Sequence, residues 1–156
     1  MIPDQFWHQI KNVQRIHQRL YDSGMGWLVG WLILLLRHTG RKSGKLYATP
    51  MQYEKIGEDY YAGAARGCKA DWFRNVQACP DVEVSVGRRH FRALAEPITD
   101  PVQVADFLAF RLKRHPLMIG LMMKLHNLPM KPSRQQLLEL GKTTALVVFH
   151  PQEEII

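Results

Sequence analysis

The 156-residue sequence holds only two cysteines, Cys68 and Cys79, and no CxxC pair. That excludes a disulfide framework and a cysteine-rich zinc site, and it suits a reducing, cytoplasmic setting. The seven histidines form neither HExxH nor another close ligand pair, so no metal site is expected. No GxGxxG follows a strand-like run, and no GxSxG elbow nominates a nucleophile. A Walker A loop is also excluded, because three residues separate Gly40 from Gly44 and Leu46 follows Lys45 where Ser or Thr is needed. Long apolar runs are missing too. Gly24–Leu36 is 13 residues long and Leu117–Met123 is shorter, whereas a spanning helix needs roughly 20. Both read as core segments. Met1–Tyr21 is polar and mixed in charge, unlike a signal peptide.

Acidic residues are in deficit. Lys and Arg total 21 against 14 Asp and Glu, giving a net charge of +7 and a pI near 9.6. Such a surface favours anionic partners. With 46% hydrophobic and 22% charged residues, the composition is that of a globular domain, and the length suits a single one spanning residues 1–156.

Periodicity predicts a mixed α/β domain. Phe6, Trp7, Ile10, Val13, Ile16 and Leu20 recur near helical spacing and predict an amphipathic helix over Asp4–Asp22. That helix carries Lys11, Arg15 and Arg19, and with Gly24–Leu36 beside it peripheral membrane contact stays open. Strands are expected at Trp31–Arg37, Tyr47–Lys55, Asp59–Ala64, Val82–Val86, Arg89–Ala95 and Thr143–His150, several joined as hairpins. Helices are expected at Lys69–Ala78 and from Pro101 to Lys113 behind an Asp100 cap, with short helical pieces broken by Pro116, Pro129 and Pro132. About six mostly antiparallel strands with flanking helices indicate an α+β barrel or sheet rather than a doubly wound one.

The densest chemical signal is His38-Thr39-Gly40-Arg41-Lys42-Ser43-Gly44-Lys45, between two strand-like runs. Glycines let the backbone turn tightly and bring N–H groups to a ligand, while Arg and Lys bond phosphate or carboxylate oxygens. The segment reads as an anion cradle, against the plainer alternative of a solvated basic turn. Arg88, Arg89, His90 and Arg92 form a second basic group around Phe91, but strand alternation turns Phe91 to the core, so nucleic acid is not expected. The individual histidines read as surface or capping residues.

Thr39-Gly40-Arg41-Lys42-Ser43-Gly44-Lys45 followed by Thr49-Pro50 resembles the signature of the deazaflavin-dependent nitroreductase family. Ala64-Ala65-Arg66-Gly67, Asp71-Trp72-Phe73-Arg74-Asn75 and Pro80–Gly87 continue the resemblance in matching order. It implies a split β-barrel of the FMN-binding-like type and an oxidoreductase. Such an enzyme passes hydride from the reduced deazaflavin coenzyme F-420 to a quinone, nitroaromatic or activated alkene. By the same resemblance Arg41, Lys42 and Lys45 hold the coenzyme's phosphate and acidic tail, with Ser43 and backbone N–H groups around Gly44 assisting. Thr49, Pro50 and Met51 border the ring. Ala64, Ala65 and Arg66 meet its polar edge, and Trp72 walls the pocket. Tyr47 stands where many members have arginine, and Ala65 where many have serine, which keeps FMN as the alternative cofactor. A non-catalytic flavin, deazaflavin or lipid carrier is the other reading. The substrate side is assigned to the N-terminal helix and the Met-rich stretch Leu117–Met130, suited to a small hydrophobic molecule. No side chain is nominated as the proton donor, and a homodimer stays open.

Overall fold

The computed structural model describes residues 33–155. The helix expected over Asp4–Asp22, and residues 24–32 of the apolar run, lie outside them. Strand β1 (Ile33–Thr39) carries Leu34, Leu35 and Leu36, all fully buried. Side chains alternate along a strand, so three consecutive buried leucines mean burial on both faces. Strand β2 (Leu46–Gln52) pairs antiparallel with it in unbroken register from Ile33↔Gln52 to Thr39↔Leu46. The connecting turn closes through bonds from Gly40 N to Lys45 O (2.7 Å) and Gly44 N to Gly40 O (2.9 Å). Gly44 has φ +70°, which favours glycine there.

The single strand expected over Tyr47–Lys55 is divided. β2 stops at Gln52, and β3 (Glu54–Ile56) forms a separate hairpin with β4 (Asp59–Ala64). The break at Tyr53 has a geometric cause: β2 serves one edge of the sheet and β3 the other, so one straight strand cannot do both. The described residues therefore hold seven strands rather than about six. After a 3₁₀ turn at Gly67–Lys69 comes helix α1 (Asp71–Ala78), then the hairpin β5 (Asp81–Val86) and β6 (Arg89–Ile98). Helix α2 (Pro101–Arg114) starts where expected, with the Asp100 carboxylate accepting from Gln103 N at 3.3 Å. Helices α3 (Pro116–Leu125) and α4 (Arg134–Gly141) follow. Ser133 and Gln136 cap α4 reciprocally, the capping-box arrangement. Strand β7 (Ala145–Glu154) completes the chain's described part, four residues longer than the expected end at His150.

Every pairing is antiparallel, in the order β2-β1-β5-β6-β7-β4-β3. The sheet curls enough for β2 to approach β4. The α+β class and the antiparallel barrel or sheet expected from periodicity form here as a curled seven-stranded sheet. Its core joins Leu34 and Leu36 to Tyr60, Phe73, Val84, Phe91 and Phe149, and Phe91 is inward as alternation requires. A second cluster forms among the helices around Ala105, Ile119, Met123 and Leu137. No helix among the described residues is long and apolar enough to cross a membrane.

One buried ion cluster fixes the helical layer to the sheet. Glu54 on β3 is 4% exposed. Its Oε1 accepts from Arg111 Nε at 3.3 Å and lies 2.9 Å from His115 Nε2, and its Oε2 lies 3.5 Å from Arg114 Nη1. Removing one partner of a buried pair leaves an uncompensated charge in low dielectric. Glu54→Gln is therefore expected to cost about 3 kcal/mol of stability by leaving buried Arg111 unpaired, read as a lowered urea midpoint. An unchanged midpoint would contradict this account of how the helices are anchored.

Candidate functional site

The β1–β2 turn is bonded to α1 through Arg41, and an open cleft of about 550 Å³ lies between them and the end of β4. Arg41, Lys42 and Ser43 line it from the turn, Tyr47, Ala48 and Thr49 from β2, and Ala65 and Arg66 from the end of β4. Asp71, Trp72 and Asn75 face it from α1, and His38 from β1. Helical spacing explains the α1 set: Asp71 and Asn75 are four residues apart, hence on one face. Phe73 and Val76 bury the opposite side in the core. Trp72 is half-buried, set edge-on to Phe73 with an interplanar angle of 84°.

Asn75 is the polar centre. Its Oδ1 accepts from Arg41 N at 3.2 Å and Arg41 Nη1 at 2.8 Å, and its Nδ2 lies 3.2 Å from His38 Nδ1. His38 Nε2 lies 2.9 Å from Thr49 Oγ1. Arg41 Nη2 also pairs with Asp71 Oδ1 at 3.2 Å. The His38 ring lies nearly parallel to that of Tyr47, 6.0 Å away at 22°, because the β1–β2 register sets those residues opposite each other.

Of the residues expected at a cofactor site, the cleft gathers Arg41, Lys42, Ser43, Thr49, Ala65, Arg66 and Trp72. Gly44, Lys45, Pro50, Met51 and Ala64 do not line it. Gly44 and Lys45 are exposed residues of the turn, Pro50 is buried in β2, and Met51 packs on the core. Ala64 is buried and faces a neighbouring cavity. Arg41 is committed to Asn75 and Asp71, whereas Lys42 is exposed and has no ion pair among the described residues. The cleft also contains His38, Tyr47 and Asn75, which stand in the quoted motifs but were not assigned to the cofactor. His38 corrects the reading of the histidines as surface or capping groups, since it is only 3% exposed. Its sequence signal is its place just beyond the apolar run that ends at Leu36.

The neighbouring cavity, about 110 Å³, shares Ala65 with the cleft. Phe107, Leu108, Met122 and Met123 give it an apolar lining, with Arg111 and His126 at the wall. Two methionines of the expected substrate-side stretch therefore stand beside the cleft. The N-terminal helix assigned to the same side lies outside the described residues.

Residues 11–114 match the family model described as F420H(2)-dependent quinone reductase. The chain belongs to that family. Two curated F420H(2)-dependent quinone reductases of Mycobacterium tuberculosis, from strains H37Rv and CDC 1551, are each 32% identical to it over 93 residues. The matched region covers 54% of this chain and 62% of theirs, so the chain spans less than two thirds of those relatives. Among solved structures, one described as an F420-H2 dependent reductase aligns with a TM-score of 0.52 and 18% identity, covering 76% of this chain and 93% of its own. A Listeria innocua protein assigned as a pyridoxamine 5′-phosphate oxidase aligns with a TM-score of 0.55 and 14% identity, covering 88% and 97%. At these identities the likeness is one of fold, the split β-barrel. The resemblance carried by the basic turn and the α1 motif thus holds at the level of family and fold.

Burial of His38 lowers its pKa from 6.5 to about 4. The unfolded chain therefore takes up a proton on this residue between those values while the folded one does not. Stability is expected to fall as pH drops from about 6.5 to about 4, by up to roughly 3 kcal/mol from this group. His150 acts on the other side. Its pKa is raised, chiefly by the bond to Glu96 and then by Asp59, so its contribution is present below 6.5 and lost as pH rises through the folded value. Urea unfolding as a function of pH checks this. The acid slope should flatten in a His38→Phe variant, and a slope equal to that of the unaltered protein would contradict the assignment.

Proposed function

We propose that the cleft binds the deazaflavin coenzyme F-420 and that the protein reduces a hydrophobic electrophile, with quinones the first class to test. The observation that carries this reading is the pairing of a cation-bearing turn with the Trp72 wall in one open cleft. It stands alongside membership of the quinone reductase family.

The donor set fits such a ligand. Lys42 and the Ser43 hydroxyl would take the phosphate and the acidic tail, as charge-assisted and neutral bonds to anionic oxygen. Arg41 contributes differently: held by Asn75 and Asp71, it fixes the turn that presents Lys42. Trp72 and Ala65 would wall the planar ring system. When bound, the reduced coenzyme supplies hydride from its C5 position. The chain's remaining task is to bring the acceptor beside that ring and keep water out. The apolar cavity across Ala65 is suited to it, because Met122 and Met123 adapt to varied apolar shapes. Nothing in this chemistry requires a protein nucleophile, and solvent can protonate the product.

Fluorescence titration with F-420 and, in parallel, FMN tests the reading. Micromolar F-420 affinity is expected, weakening roughly tenfold in Lys42→Ala, the scale of one charge-assisted bond, and weakening further with added salt. Binding of FMN alone would move the protein to flavin chemistry, and binding of neither would leave the turn a solvated loop. Turnover of menadione with reduced F-420 separates an enzyme from a carrier. In that assay Met122→Lys is expected to raise KM by about tenfold while leaving F-420 affinity unchanged. An unchanged KM would remove the cavity from the substrate path.

A further inference from the structure

We infer that the chain Arg41–Asn75–His38 fixes Thr49 as a hydrogen-bond donor into the cleft, so that this point selects an acceptor atom on whatever binds there. The ligand class, an anionic or carbonyl oxygen or an unprotonated ring nitrogen, is assigned to F-420 only through the function proposed above.

The polarity follows from one constraint passed along three contacts. Both groups that Arg41 offers to Asn75, the backbone N–H and Nη1, can only donate. The amide must therefore turn Oδ1 toward Arg41, which places its NH₂ against His38 Nδ1 at 3.2 Å. An amide NH₂ donates only, so Nδ1 must be the acceptor and the imidazole proton must sit on Nε2. Nε2–H then donates to Thr49 Oγ1 at 2.9 Å. With its oxygen so engaged, the Thr49 hydroxyl hydrogen is turned away from His38. Among the described residues no second group bonds that hydroxyl, and Thr49 lines the cleft.

The alternative protonation states fail on the same contacts. The Nδ1–H tautomer and the imidazolium both set an N–H against the Asn75 NH₂, donor facing donor. Burial favours the neutral ring in the same direction. Asp71, the charged neighbour on α1, acts on Arg41 and makes no bond to the imidazole. Thr49 is thus the group that touches the ligand, while His38 and Asn75 are positioning residues acting through it.

The imidazole nitrogens report the relay without any coenzyme. In the full chain labelled with ¹⁵N-histidine at neutral pH, His38 is expected to show a pyridine-like Nδ1 and a pyrrole-like Nε2. A proton on Nδ1 would overturn the inference. Asn75→Asp, nearly the same shape, sets a carboxylate against Nδ1 and is expected to bring a proton onto it. An unmoved Nδ1 signal would show that Asn75 does not govern the ring. F-420 titration tests the donor itself: Thr49→Ser should bind within about twofold of the unaltered protein, and Thr49→Val about tenfold more weakly. Equal affinity of Thr49→Val would overturn the donor assignment, with circular dichroism confirming that both variants are folded. Failure of the unaltered protein to bind F-420 would instead refute the coenzyme reading and the donor role toward it, leaving the imidazole spectrum to decide the relay.

Discussion

The cleft depends on one neutral side chain, the amide of Asn75. It holds the basic turn through Arg41 and the end of β1 through His38, joining segments 34 and 37 residues away in sequence. Its own position is set by α1, whose Phe73 and Val76 are fully buried in the main core. An eight-residue helix has little stability alone, so this packing keeps the amide in place. The ion pair of Arg41 with Asp71 adds less, because the Asp71 side chain is 85% exposed and such pairs are worth roughly 0–1 kcal/mol. A buried amide with its partners satisfied is the stronger constraint, since each group left unpaired there costs desolvation energy.

That constraint divides the basic residues of the turn by task. Arg41 serves the protein and is largely covered, while Lys42 faces solvent at the cleft. A site built this way presents charge on a backbone already ordered before the ligand arrives, which reduces the entropy lost on binding. On the other side of Ala65 the surroundings change to phenylalanine, leucine and methionine. The Glu54 cluster reaches the same cavity through Arg111, so the ion cluster that anchors the helices also shapes the apolar end.

Local signals made much of the fold legible. The Val/Glu/Val/Ser/Val alternation and the Gly87-Arg88 turn define β5 and β6, and Asp100 followed by Pro101 marks the start of α2. The division at Tyr53 was not legible, because the order of the whole sheet, which sets β2 and β3 on opposite edges, and not any residue nearby, requires it. β7 continues past the apolar run to Glu154 because β6 supplies partners as far as Phe91, another non-local cause. The site divides in the same way. Glycine and charge exposed the turn from Arg41 to Lys45, yet core packing draws Pro50, Met51 and Ala64 out of the cleft, and Lys45 faces solvent on the turn. His38 and Asn75 stand inside the quoted motifs, but the contact between them, 37 residues apart, was not legible there.

The most direct test of this account is a ¹H–¹⁵N spectrum of the full chain with and without F-420. The account predicts shifts concentrated in residues 38–49 and 65–75, with β5 and α4 nearly silent. Shifts centred elsewhere, or none at saturating coenzyme, would contradict the claim that this cleft is the coenzyme site.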